Sequence, residues 1–376
     1  MSSDILKNLN PGITDLSPYE PGRSIDEVID EFDLNEVVKL ASNENPLGAS
    51  PKALSVLTEL KNDMHLYPDG NGTKLKKEIA SHENVAIDNI IIGNGSNEIL
   101  ELLARLYLND KSEVLFSKHS FLVYKIISNA MHATIVETKP KMSQGFGFMG
   151  TDLSELNKKI TKKTRMIFIA NPSNPTGTIL SVKDLDDFIK TVPKRILIVI
   201  DEAYFEYSEY MGMTNCIILL KKYSNVVITR SFSKVHALAG IRIGYGLGSD
   251  KIISNLDKIR QPFNVNYVAQ AMAVESLKDK KYIKSSLISN NDGMLYLKKE
   301  LDKLDIKYLD SYTNFLTIYL GKNANDVFEK LLENGVILRP LDNYNLKSYL
   351  RVTIGTRQEN ISFIKSLKKI MSKINA

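Results

Sequence analysis

The sequence predicts an α/β fold: a large domain with a mostly parallel sheet flanked by helices, a smaller α+β C-terminal domain, and an N-terminal arm. Three observations predict it. Short runs dense in Val, Ile, Leu and Phe alternate with helical patterns through the middle of the chain. After about residue 266 that alternation gives way to longer helical stretches with a few short strands. At roughly 100–200 residues per domain, the 376 residues suffice for two domains with sizeable cores.

Each element has its own signal. The first 40 or so residues carry PGITDLSPYEPG, which Pro and Gly break into an extended arm. Strands are expected at IIIG (90–93), EVLF (113–116), TIVE (134–137), RMIFIA (165–170), ILIVI (196–200) and VVIT (226–229). Such nearly continuous apolar runs suit strands covered on both faces. Helices are expected between them at 97–108, 121–131 and 182–190, the last with Ser181 as N-cap and Asp184 three residues on. The apolar stripe of NEILELLARLYL (97–108) reads as core packing. Next come a helical stretch over about 267–304, FLTIYL (315–320), a helix near 324–334, VILR (336–339), LRVTI (350–354) and a Lys-rich closing helix. The expected division is an arm over 1–40 that joins the small domain, a large domain over 41–265 and a small domain over 266–376.

Composition removes several function classes. Apolar residues make up 43% and charged residues 25%, which suits a globular chain and not a disordered one. The net charge of +5 is scattered, with no basic tract to meet nucleic acid. The single cysteine, Cys216, allows no intrachain disulfide and fits a reducing compartment. MSSDILKNLNPG holds no apolar signal core, and no apolar run approaches the ~18 residues of a membrane span. A soluble cytoplasmic protein is expected, with neither nucleic-acid nor membrane partners.

In open α/β sheets ligands bind beyond the carboxyl ends of the strands, so the segments after each strand carry the chemistry. GNGSNE (93–98) follows IIIG and opens a helix, presenting the amides of Gly95, Ser96 and Asn97 as an anion site or as an ordinary capped turn. NPSNPTG (171–177) follows RMIFIA; its two Asn-Pro pairs stiffen the loop around Asn174, and a cis peptide at one of the prolines is expected. DEAY (201–204) follows ILIVI, and a carboxylate there is costly unless a cation or strong donors meet it. A magnesium-dependent NTPase would also need GxxxxGKS/T, but the Gly321-Lys322 pair has Leu316 and Asn323 where that motif needs Gly and Ser or Thr. RSFSKVHALAGIRIGYG (230–246) follows VVIT, with Ser231, Ser233 and Arg242 able to bind a phosphate and Lys234 among them. A partly desolvated lysine near cations has the depressed pKa a nucleophilic amine needs. GYGLG (244–248) is only a weak look-alike of a dinucleotide fingerprint. Together these loops offer a phosphate cradle, an amine, a buried carboxylate, and neutral donors from Asn174 and Tyr204. Those features match the phosphate, aldehyde, ring nitrogen and phenolic oxygen of pyridoxal 5′-phosphate.

At this point the sequence resembles the fold type I pyridoxal-phosphate-dependent aminotransferases, and within them the histidinol-phosphate aminotransferase group. NPSNPTG, DEAY and SFSK carry the broader likeness; PYEPG (18–22), NENPLG (43–48), YPDG (67–70), PFNVN (262–266) and LRVTIGT (350–356) carry the narrower one, in collinear order. The resemblance implies the type I pyridoxal-phosphate transferase fold with a seven-stranded large-domain sheet. It implies that Lys234 joins the cofactor aldehyde and shuttles the proton, and that Asp201 keeps the ring nitrogen protonated. Tyr204 and Asn174 would bond the ring oxygen, and Phe121 would stack on the ring where Tyr is frequent. Gly95, Ser96, Asn97, Ser231, Ser233 and Arg242 would hold the phosphate. Tyr67 would reach it from a neighbouring subunit, which implies a homodimer with shared active sites.

For substrate, the resemblance implies reversible amino transfer between L-histidinol phosphate and 2-oxoglutarate, in histidine biosynthesis. Arg351 and Arg339 would serve the substrates' carboxylate and phosphate, with Tyr19 and Asn43 lining the same pocket. An aromatic amino acid aminotransferase would need only one anion site, and a phosphothreonine decarboxylase of the same family would break a different Cα bond. A non-enzymatic regulator on this scaffold is disfavoured, since no DNA-binding segment precedes the domain and every catalytic position is filled. His236 departs from the group's Tyr, Phe or Gly and reads as a packing residue. The remaining histidines lack partners at metal spacing, so no metal site is expected.

Overall fold

The computed structural model describes residues 9, 11–14, 18, 21–143 and 146–374. Its central feature is a seven-stranded sheet in the order Ile90–Gly93, Gly244–Leu247, Val226–Ser231, Leu197–Asp201, Thr164–Ala170, Glu113–Ser117 and Thr134–Thr138. Neighbours pair in parallel except around Gly244–Leu247, which is antiparallel to the strand on either side.

Alternation along each strand divides the core between two faces. Ile167, Ile169, Ile198, Ile200 and Ile228 face one way, against Leu75, Ile79, Leu185 and Ala273 from the helices Thr73–Glu83, Val182–Thr191 and Tyr267–Lys278. Met166, Phe168, Leu197, Val199 and Val227 face the other, against Ile99, Leu103, Tyr124 and Leu256 from the helices Gly95–Tyr107, Leu122–Ala130 and Asp250–Ile259. Ser181 caps its helix as expected, its hydroxyl accepting from the Asp184 amide at 3.1 Å.

A second core joins both ends of the chain. Val28 and Leu40 pack with Leu297, Leu316, Val352, Phe363 and Leu367. The antiparallel strands Phe315–Tyr319, Tyr349–Thr353 and Arg339–Pro340 form its sheet, and Val38–Lys39 pairs in parallel with Val336–Ile337.

Four expectations need correcting. The arm is not extended throughout: Ile25–Phe32 is helical, started by a reciprocal capping box between Ser24 and Glu27. The stretch 267–304 is two helices, Tyr267–Lys278 and Lys280–Asp302, parted at Asp279, whose carboxylate accepts from the Tyr282 amide. The first of them, expected in the small domain, packs on the large core through Ala269, Met272 and Leu277. VILR is not one strand either, because Val336–Ile337 and Arg339–Pro340 join different sheets.

GYGLG supplies the strand absent from the sequence-based assignment. Glycine is poor in strands, but a Cβ at Gly244 would lie 2.5 Å from the Ser96 amide nitrogen, so only glycine admits the helix start there. Tyr245 points away into a buried polar cluster in which Arg230, 0% exposed, bonds Glu202 at 2.7 Å and Glu83 at 2.6 Å. Tyr245 also donates to Glu83, and the Arg230 guanidinium lies 3.4 Å from the centre of the Phe205 ring. Among the described residues no helix is long and apolar enough to cross a membrane.

Arg230→Ala strips the cation from two buried carboxylates. It should lower unfolding stability by about 3–5 kcal/mol, measured as the shift in the urea midpoint with the slope unchanged. A loss under about 1 kcal/mol would show that water reaches this cluster.

Candidate active site

One cavity of about 270 Å³ opens at the carboxyl edge of the parallel strands, where the large sheet faces the small one. Asp201 ends its strand in register with Ala170 and Thr229 and is 5% exposed. Its Oδ2 accepts from Tyr124 Oη at 2.8 Å and its Oδ1 from Thr229 Oγ1 at 3.1 Å. Burial pushes the Asp201 carboxyl pKa up, while the Tyr124 and Thr229 hydroxyls pull it back.

Lys234 stands in the turn after Val226–Ser231, its Nζ near the carbonyls of Ser42 (3.4 Å) and Asn43 (3.3 Å). Burial, aided by the charges of Arg351 and Arg242, brings its ammonium down to about 8 against the opposing pull of Glu44 and Asp201. Tyr204 is buried, and its Oη accepts from Asn43 Nδ2 at 2.8 Å. Burial pushes that phenol up to about 12, so it keeps its proton at neutral pH. Asn43 is itself held in a left-handed conformation (φ 56°), with its amide donating to Thr353 Oγ1 at 2.9 Å.

The peptides Asn171–Pro172 and Asn174–Pro175 are both cis, where one was expected. The loop turns Asn174 toward Arg351, whose Nη1 donates to Asn174 Oδ1 at 2.6 Å. Nη2 of the same arginine donates to the Ala41 carbonyl at 2.8 Å, while Nε is buried without a partner among the described residues. Arg339 and Arg351 are direct partners across antiparallel strands, so both side chains leave the same face, and both line the cavity. Like charges opposite one another are unfavourable in a sheet; an anion between them reverses that.

At the other end, Ser96 and Asn97 in the first turn of Gly95–Tyr107 meet Ser231, Ser233 and Arg242. Gly95 has φ +74°, and a Cβ there would fall 2.7 Å from Arg242 Nη2. Glycine thus lets a guanidinium approach the positive pole of a helix, an arrangement that calls for an anion between them. Phe121 stands beside the cavity, edge-on to Tyr124 at 5.8 Å.

The predicted residues Lys234, Asp201, Tyr204, Asn174, Phe121, Ser96, Asn97, Ser231, Ser233, Arg242, Asn43, Arg339 and Arg351 thus converge on one space. Tyr67 does not: it is 81% exposed and stacks on Phe263 at 4.7 Å. Tyr19 lies outside the described residues. His236 is buried away from the cavity, its Nδ1 2.7 Å from Ser276 Oγ. Sequence reasoning missed Tyr124 and Tyr344; three residues past Phe121, Tyr124 shares its side of the helix start, a spacing that could have found it. Among the described residues there is no cluster of metal-ligating side chains.

The space fits pyridoxal 5′-phosphate in its chemistry. It has donors and a guanidinium at one end, a buried carboxylate and a high-pKa phenol beside it, and a lysine with a depressed pKa in reach. The family model described as aminotransferase class I and II matches residues 35–367. The chain belongs to that family. This aminotransferase is 42% identical to histidinol-phosphate aminotransferase 2 of Pseudomonas fluorescens, over 99% of this chain and 100% of that one. It superposes with a TM-score of 0.88 on the histidinol-phosphate aminotransferase of Sinorhizobium meliloti, a structure in complex with pyridoxal-5′-phosphate, at 23% identity over 98% of each chain. The Clostridium acetobutylicum histidinol-phosphate aminotransferase gives 0.82 at 27% identity, over 90% of this chain and 100% of that one.

The depressed pKa at Lys234 sets a pH dependence. Its amine becomes neutral, and so nucleophilic, as pH rises through about 8 rather than near 10.5. The cofactor-stripped aminotransferase should therefore capture pyridoxal 5′-phosphate at a rate that rises with pH and levels off above about 9, followed by absorbance. A rate still climbing at pH 10, as for an ordinary lysine, would contradict the geometry.

Proposed function

We propose that this aminotransferase uses pyridoxal 5′-phosphate to exchange an amino group between L-histidinol phosphate and 2-oxoglutarate. The products are imidazole acetol phosphate and L-glutamate, and the reaction is a reversible step of histidine biosynthesis in the cytoplasm. The observation that carries the substrate choice is the Arg339–Arg351 pair on one sheet face. One substrate brings a carboxylate and the other a phosphate ester, and a guanidinium binds either through paired hydrogen bonds. The side chains of phenylalanine and tyrosine bring no anion to the second guanidinium, whereas the phosphate ester does. The names borne by relatives at about 42% identity over nearly the full chain support the same choice.

Bound pyridoxal 5′-phosphate supplies an aldehyde for an amine and a cationic ring that draws off negative charge from the reacting carbon. Lys234 would hold it covalently through Nζ, and Ser96, Asn97, Ser231, Ser233 and Arg242 would hold its phosphate with the Gly95 end of the helix. Asp201 would keep a proton on the ring nitrogen, its own charge steadied by two hydroxyl donors. Tyr204 and Asn174 would hydrogen-bond the ring oxygen, and Phe121 would cover a ring face. With a pKa near 8, Lys234 Nζ can take the proton from the substrate Cα and give it back without a large energetic penalty either way. Arg351 has its plane set by Asn174 and Ala41 and would bind glutamate's α-carboxylate. Arg339 would bind the phosphate ester, and Asn43 donates to the Tyr204 hydroxyl and fixes it.

Tyr67 fits the wall of a second site. An exposed tyrosine stacked on Phe263, with Met64 and Leu66 also exposed beside it, supports a homodimer in which Tyr67 reaches the partner's phosphate cradle. The large domain would run from 41, and the packing of Tyr267–Lys278 argues for its end at Asp279 rather than 265.

Half-reactions test the reading. The cofactor-loaded enzyme is offered histidinol phosphate, phenylalanine, tyrosine and phosphothreonine singly while its absorbance is followed. Histidinol phosphate should convert the cofactor to its amine form fastest, with no carbon dioxide released. Arg339→Ala should weaken histidinol phosphate roughly ten- to hundredfold while costing glutamate much less. Equal losses for both would remove the basis for the substrate choice.

A further inference from the structure

We propose that Tyr124 is a positioning residue for the Asp201 carboxylate, a role that rests on the reading of Asp201 as the partner of the cofactor's ring nitrogen. The juxtaposition is direct. Tyr124 Oη donates to Asp201 Oδ2 at 2.8 Å, and Thr229 Oγ1 donates to Oδ1 at 3.1 Å from the adjacent strand. Each carboxylate oxygen therefore has its own donor, and the plane of the group is set. Tyr124 and Thr229 are both 0% exposed, so water cannot replace either hydroxyl without opening the core. The Tyr124 ring is clamped flat on Phe168, with centroids 4.6 Å apart and planes 4° apart, and Phe121 meets it edge-on. Its own backbone carbonyl accepts from Ser128 Oγ at 2.6 Å, which ties the helix turn that carries it.

Tyr124 has a chemical consequence beyond packing. A carboxylate that accepts a hydroxyl proton is a weaker base than one that does not. Tyr124 thus biases the proton shared between Asp201 and a facing pyridine nitrogen toward the nitrogen, where it is needed. Removing the hydroxyl makes Asp201 more basic and draws that proton back. Phenylalanine keeps the ring stacked on Phe168, so Tyr124→Phe removes the donor with little change of shape.

The test uses the enzyme loaded with pyridoxal 5′-phosphate labelled with nitrogen-15 in its ring, read by NMR. Tyr124→Phe should move the ring-nitrogen signal from the protonated toward the unprotonated position. It should also lower kcat roughly ten- to hundredfold with KM for the amino donor changed far less. An unchanged nitrogen signal in the folded, loaded variant overturns the proposal. Asp201→Asn is run alongside: if it too leaves the signal in place, Asp201 does not face the ring, and the underlying reading fails with the proposal. If Asp201→Asn moves the signal and Tyr124→Phe does not, only the role of Tyr124 fails. Should Tyr124→Phe aggregate, Thr229→Val removes the other donor to the same carboxylate. A shift in the same direction supports the two-hydroxyl arrangement, and none overturns it.

Discussion

The carboxylate of Asp201, buried at the end of an apolar strand, is the constraint around which this aminotransferase is arranged. An ionised carboxylate there costs several kcal/mol unless donors or a cation meet it. Tyr124 and Thr229 supply the donors from a helix and from the neighbouring strand. Lys234 lines the same cavity, its pKa depressed by desolvation and further by the charges of Arg351 and Arg242. Both groups border the cavity. A ligand that brings a cationic ring nitrogen to one and an aldehyde to the other relieves both.

Strand periodicity keeps this site apart from a second charged cluster next to it. Asp201 and Glu202 are adjacent in DEAY and diverge as neighbours along an extended chain do. Asp201 lines the cavity, while Glu202 accepts from Arg230 and from the Cys216 amide. The first carboxylate borders open space, and the second is satisfied wholly within the fold. In the small sheet the same geometry works in reverse: Arg339 and Arg351, paired across strands, are held on one face. The cavity therefore has two arginines on the side of the three-stranded sheet and Ser231, Ser233 and Arg242 on the side of the seven-stranded sheet, and the amine and the acid line the same space.

Most of this was legible in the sequence where a single residue type has few physical reasons to be present. Apolar runs located the parallel strands to within a residue or two, although Thr134–Thr138, at the edge of the sheet, is not covered on both faces. Asn-Pro pairs, the acid after ILIVI and the lysine after VVIT were visible because each breaks its local pattern. What escaped depended on long-range partners. Gly244–Leu247 forms a strand despite two glycines, because the sheet supplies pairing on both edges and the helix start demands the missing Cβ. VILR divides because Val38–Lys39 captures its first half. Tyr124 lay within the helix expected over 121–131, and it is the fold that brings its hydroxyl to an acid 77 positions away. The helix after Ser24 was hidden by the prolines before it, though its capping box was in plain sight.

The central claim is that one desolvated amine, Lys234 Nζ, bonds covalently to pyridoxal 5′-phosphate. Borohydride reduction of the loaded enzyme, followed by digestion and mass mapping of the phosphopyridoxyl group, tests it most directly. The account predicts a single modified peptide, bearing the label at Lys234. A label at any other lysine, or none on protein that has taken up the cofactor, would contradict it.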